Sequence, residues 1–169
     1  YKSTAEVSQN VKKARKLLEE AGYPGGKGFP EVKLLYNTDK NHKLVAESIQ
    51  AMWKKNLGVD IELQNKEWKT YLEDIDNLNY EVARAGWIGD YNDPMTFLDM
   101  WVTGNGNNDT GWSNDKYDSL IAKARKTSDP DKRLEILQQA ETLLLEKGPV
   151  IPIYDLSNNM LLSSKVKGF

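Results

Sequence analysis

The chain has 169 residues, of which 39% are hydrophobic and 28% charged, the size and composition of one globular domain able to bury a core. Its 25 acidic against 23 basic residues leave a formal charge of −2, so no global field favours nucleic acid or an anionic membrane surface. Zero cysteines exclude disulfides, thiolate metal sites and cysteine nucleophiles, and the longest apolar runs, such as VIPIY, fall far short of the roughly 20 residues of a membrane helix.

From Val7 the apolar positions Val7, Val11, Ala14, Leu17, Leu18 and Ala21 follow helical spacing, with Ser8 as the cap and Gly22 as the stop. YPGGKGFP (23–30) is broken by proline and glycine and reads as a loop, and its GGKG lacks the spacing of a phosphate-binding P-loop. VKLLYN (32–37) reads as a buried strand. A second helix is predicted from about Asn41 to Asn56 on Leu44, Val45, Ile49, Met52 and Trp53, with Gly58 ending it. VDIELQ (59–64) alternates as a half-exposed strand does, Val59, Ile61 and Leu63 on one face against Asp60, Glu62 and Gln64. EWKTYLEDIDN (67–77) fits a short helix, and YEVARAG (80–86) returns to strand with Tyr80, Val82 and Arg84 on one side. This αβαβαβ order argues for an α/β layer with largely parallel neighbours, because each helical crossover brings the chain back to the same end of the sheet. Pro94 opens a short helix, PMTFLDMW, and TGNGNND (103–109) is a loop. Helices follow at Lys116–Thr127 and Pro130–Lys147, the second capped by Asp129 with Pro130 in its first position. VIPIYDL (150–156) and NMLLSS (159–164) close the chain as two extended segments.

In open α/β sheets ligands sit outside the carboxyl ends of the strands, and RAGWIGDYNDP (84–94) leaves one of those ends. Gly86 and Gly89 let the backbone turn sharply and approach a ligand. Asp90 suits an ammonium group and Arg84 a carboxylate, the bland alternative being that the two pair with each other. Asp93 reads instead as the cap of the Pro94 helix. DYNDP puts Pro94 where an EF-hand needs its third ligand, so calcium fits badly, and no metal or cofactor is expected. A carboxylate hydrolase would need two acids facing each other across several ångströms, which neighbours on one loop do not guarantee. The single histidine, His42, reads as a surface residue opening the second helix away from the charged turn, so its loss is expected to leave binding unchanged. Trp87 and Trp68 are assigned to a pocket, Trp53 and Trp101 to the core.

EWKTYL (67–72), RAGWIGDYNDP (84–94) and VIPIY (150–154), in this order, resemble the oligopeptide-binding branch of the extracellular solute-binding proteins that feed ABC importers. The resemblance implies an α/β fold: one lobe of a two-lobed, periplasmic-binding-protein-like type II architecture, with a central mostly parallel or mixed sheet flanked by helices. It implies a single domain over residues 1–169, excised from a longer chain that supplies the other lobe, a signal peptide and any lipid anchor. Carried over residue by residue, Asp90 would take the α-amino group of a bound peptide. Gly86 with Trp87 would pair with its main chain, Arg84 would lie near its far end, and Trp68 would line a side-chain pocket. Some peptide-binding members carry a further arginine seven residues after the EWKT tryptophan; here that position is Ile75. The expected partners are a short peptide and the membrane permease subunits of an importer, with no nucleic acid, the protein itself being a monomer. The expected place is the outer face of a bacterial membrane or the periplasm. Other readings are a relative that binds a sugar, a dipeptide or a metal chelate and, from another class, the hydrolase disfavoured above.

Overall fold

The run KLLYN, apolar on both faces, forms the central strand of its sheet. The computed structural model describes residues 4–157, 161–163 and 165–168. Among them a three-stranded sheet has the order β2-β1-β3, formed by β1 (Lys33–Asn37), β2 (Glu62–Lys66) and β3 (Val82–Ala83), with both pairings parallel. Leu34, Leu35 and Tyr36 of β1 are all buried, as the near-continuous apolar run of a covered parallel strand requires.

The helices divide between the faces. On one side Leu34 and Tyr36 pack with Val59, Ile61 and Ala46, flanked by Leu18 of α1 (Thr4–Glu20) and by Ile49, Trp53 and Leu57 of α2 (Lys40–Leu57). On the other, Leu35 meets Tyr71 and Ile75 of α3 (Trp68–Asp76), with Tyr80 and Ala83. Lys66 at the end of β2 pairs with the buried Asp74 of α3, and Asn79 donates to Asp74 Oδ1 at 2.9 Å. These two bonds, led by the lysine, hold the Asp74 carboxyl below the usual carboxylate range.

Several boundaries differ from expectation for physical reasons. The first helix begins at Thr4, so Ser8 lies inside it and does not cap it. The second starts one residue early because Asp39 is its cap, its carboxylate accepting from the amides of Asn41 (2.8 Å) and His42 (3.1 Å). Its buried stripe runs through Ala46, Ile49 and Trp53, whereas Leu44 and Met52 are half exposed. Val59 and Ile61 are buried and Asp60 exposed, so the alternation was real; the ladder starts at Glu62 because β1 begins opposite it, at Lys33. In the third strand only Val82 and Ala83 pair with β1, and Tyr80 packs with Ala83, not with Val82.

The described residues fall into two compact units, one of residues up to 97 with 106–111, the other of 98–105 with 112 onward. In the second, α4 (Asp115–Lys126) and α5 (Pro130–Lys147) pack on each other. Asn114 and Asp129 cap them, and Pro130 takes the first position of α5. Tyr117, Ile121 and Ala124 of the first helix and Leu137 and Ala140 of the second are buried. The Tyr117 hydroxyl donates to the Leu98 carbonyl at 2.6 Å, and burial raises its pKa well above a free phenol's. Residues 151–157 form no strand and leave Ile151, Ile153, Tyr154 and Leu156 exposed. Residues 158–160 and 164, part of the expected closing segments, lie outside the described residues.

Two helix-ending glycines have the same φ of 72° but different surroundings. A Cβ on Gly58 would fall 2.2 Å from the carbonyl oxygen of Gly25, whereas one on Gly148 meets nothing within 4 Å. Gly148→Ala is therefore expected to cost about 1–2 kcal/mol, the left-handed penalty alone. Gly58→Ala should cost clearly more, because rigid backbone must move. Urea denaturation of both variants checks this; equal losses would show that the 23–28 loop yields freely.

Candidate functional site

Parallel neighbours deliver whatever follows them to the same end of the sheet, so the residues after β1 and after β3 must meet. They do. Beyond β1, Asn37 is buried and its Oδ1 lies 2.8 Å from His42 Nδ1. Beyond β3, the Arg84 amide donates to the Leu35 carbonyl at 2.8 Å, and Arg84 Nη1 reaches to 3.4 Å from the same His42 nitrogen. Asp39 Oδ1 stands 3.9 Å from His42 Nε2.

The expectation that His42 is a surface residue remote from the turn is therefore wrong. Its side chain is 23% exposed and touches Arg84. Burial first, and then the Arg84 charge, hold its pKa below 6.5 against the opposing pull of Asp39 and Asn37. The imidazole is thus mainly neutral near pH 7, and Arg84 is the permanent cation of the group. His42 was missed because its helix pattern is ordinary; the signal lay in its position just after the central strand, visible only once strand order is known. Asp39 itself is held below the usual carboxylate range, chiefly by the amides of His42 and Asn41 that it caps.

The expected site residues lie in one unit of the chain. Arg84 is half-buried; its carbonyl accepts from the Tyr71 hydroxyl at 2.9 Å. Its guanidinium flanks Gly86, where a Cβ would sit 3.6 Å from Nη2. Trp87 is half-buried, and its Nε1 is buried with no hydrogen-bond partner among the described residues, a donor that costs about 1–3 kcal/mol while unmet. Trp68 is 54% exposed and stacks on Tyr71, ring centroids 5.6 Å apart and planes 18° from parallel. Asp90 is exposed; its amide donates to Thr96 Oγ1 at 3.0 Å.

The turn is held differently from what its glycines suggested. Neither Gly86 nor Gly89 has a positive φ. Gly89 is small because Phe97 and Thr96 lean on it, at 3.0 and 3.1 Å from where a Cβ would stand. Asp93 does act at the helix start, its Oδ1 accepting from the Met95 amide at 2.8 Å. Arg84 and Asp90 form no ion pair with each other, and among the described residues nothing binds the Asp90 carboxylate. Ile75 is a core side chain 7% exposed. Among the described residues no group of acids or histidines has metal-holding geometry, and no helix is long and apolar enough to cross a membrane.

Residues 1–109 match the family described as bacterial extracellular solute-binding proteins, family 5 Middle. The chain belongs to that family. It is 41% identical over 164 residues to the oligopeptide-binding protein OppA of Bacillus subtilis, covering 94% of this chain and 30% of the relative. It is 41% identical over 156 residues to the periplasmic murein peptide-binding protein MppA of Escherichia coli, covering 92% and 29%. Among solved structures, a periplasmic oligopeptide-binding protein from Borrelia burgdorferi superposes with a TM-score of 0.77 at 46% identity, over 81% of this chain and 28% of that one. The family chain thus spans about 30% of the length of the curated relatives it matches. Its fold is that of one lobe of a periplasmic binding protein, a small parallel sheet flanked by helices.

The depressed pKa of His42 has a sign that can be checked. Between its folded value and 6.5 the unfolded chain binds more protons than the folded one, so stability rises with pH across that window. As pH falls below 6.5 through the depressed value, the protein should lose stability that a His42→Gln variant does not lose. Urea titrations at about pH 7.5 and about pH 5 make the comparison; parallel losses in both proteins would mean an imidazole as free as in water.

Proposed function

We propose that this chain is the ligand-facing lobe of the extracellular substrate-binding component of an oligopeptide ABC importer, capturing short peptides between two lobes. The observation that carries the reading is a pair of opposite charges in one turn, Arg84 and Asp90, that do not neutralise each other. A free peptide is a zwitterion and needs one partner of each sign. Asp90 receives the ammonium group and Arg84, with His42 beside it, faces the carboxylate end. Gly86 and Trp87 offer main chain, and the half-exposed Trp68 gives a side chain an apolar wall. The names of the relatives, oligopeptide-binding and murein peptide-binding, support the same ligand class.

Binding without catalysis is the reading that the same groups support. His42 is engaged by Asn37 and Arg84 and has no nucleophile among its hydrogen-bond partners. A sugar offers no ammonium for Asp90, so peptide is preferred over that alternative. The proposed setting is the outer face of a bacterial membrane or the periplasm, where a monomer hands its peptide to the permease subunits of the importer.

Asp90→Asn in the full-length parent is expected to weaken free peptides far more than their N-acetylated forms. A hydrogen bond to a charged group is worth about 1.5–3 kcal/mol, roughly one to two decades in affinity. Calorimetry on the two peptide types decides it. Equal losses for both would remove the amine from Asp90.

A further inference from the structure

We propose that Tyr71 is the positioning residue of the cationic pole: its hydroxyl draws the Arg84 carbonyl off the sheet, ends β3 there, and so turns the Arg84 guanidinium toward His42 and Gly86. The inference rests on the reading of Arg84 as the partner of the ligand carboxylate.

In a parallel ladder a residue gives its N–H and its C=O to two neighbours that lie two apart on the facing strand. The Arg84 amide donates to Leu35, so the next rung would bring the Arg84 carbonyl to the amide of Asn37. That rung is not made; the phenol takes the carbonyl at 2.9 Å. A main-chain carbonyl needs a donor, and here the choice of donor decides whether the strand continues flat or breaks away. With the break, Arg84 Nη1 comes to 3.4 Å from His42 Nδ1 and the guanidinium closes on Gly86.

Tyr71 is built to hold this position. It is 5% exposed and packs with Leu35 and Ile75 on the α3 side of the sheet. The helix that carries it is tied to β2 through Lys66 and Asp74. Burial keeps the phenol protonated, outweighing the opposing charge of Arg84, so it stays a donor. Its ring also lies under Trp68. One side chain therefore supports both the apolar wall and the cation, and a ligand residue resting on Trp68 is placed at a set offset from the group that takes its carboxylate.

Tyr71→Phe removes one oxygen and leaves the ring, its burial and the Trp68 stack in place. In the full-length parent, calorimetric affinities for a tripeptide and for its C-terminal amide give a preference ratio. Wild type is expected to prefer the acid, and Tyr71→Phe to reduce that preference about tenfold while binding the amide nearly as before. An unchanged ratio, even with both affinities lowered together, overturns the positioning role and leaves the carboxylate reading standing. Equal affinities for acid and amide in wild type overturn the carboxylate reading itself. If the variant binds neither peptide, NMR titration of His42, its signal assigned by its absence in His42→Gln, decides without a ligand. Released from Arg84, the imidazole should titrate higher, toward 6.5; an unmoved pKa overturns the proposal.

Discussion

Every charged group of the site hangs from a very short parallel pairing. β3 is joined to β1 by the register Leu34 to Val82 and Leu35 to Ala83. Around it stand one further amide bond, Arg84 to Leu35, and a bond from the Lys33 amide to the Glu81 carboxylate at 3.1 Å. A slip of one residue would send alternate side chains to the opposite face. Arg84 would then point toward Tyr71 and Ile75 rather than His42. What resists the slip is burial on both sides: Val82 belongs to the cluster of Leu34 and Tyr36, and Ala83 to that of Leu35 and Tyr71. Beyond this point the Tyr80 hydroxyl reaches the Asp109 carbonyl, which ties the entry to β3 to the loop at 106–111. So few backbone bonds suffice because side chains on two faces fix the register.

Unpaired surface charges need little explanation in energetic terms. An exposed ion pair contributes about 0–1 kcal/mol, so leaving Arg84 and Asp90 apart sacrifices almost nothing in stability. Holding them apart in a fixed geometry is another matter. Gly89 admits Phe97 and Thr96 beneath the turn, and Thr96, itself 2% exposed, anchors the Asp90 amide. The carboxylate is thus placed through its own main chain. The guanidinium is placed through its carbonyl and through His42. Both charged side chains are thus positioned without an ion pair between them.

Local features were the ones legible in the sequence. Asp129-Pro130 and Gly58 announce helix ends because capping needs only neighbours within a turn. The parallel α/β order followed from alternation alone. Strand limits did not, because a strand exists only where its partner does: 59–61 alternates perfectly yet lies outside the ladder with β1, and β3 is two residues long where seven had the pattern. Leu44 and Met52 fitted a helical stripe that the fold leaves half exposed. His42 was hidden for the same reason. Its meeting with Arg84 spans 42 residues of chain, and only the central place of β1 between β2 and β3 brings them together.

Position 75 belongs to the core that carries Tyr71. Tyr71 and Ile75 lie one helical turn apart on the buried side of α3, both against Leu35. An isoleucine there adds apolar burial to the very cluster that steadies the Tyr71 hydroxyl. A guanidinium there would have to leave that cluster to reach water. Arg84 carries the permanent positive charge beside His42, whose imidazole is kept mainly neutral near pH 7 by burial and by Arg84 itself. On the peptide reading, a single fixed cation meets a single carboxylate, and a second positive charge appears only when protons are abundant enough to overcome both the burial of the imidazole and its neighbour's repulsion.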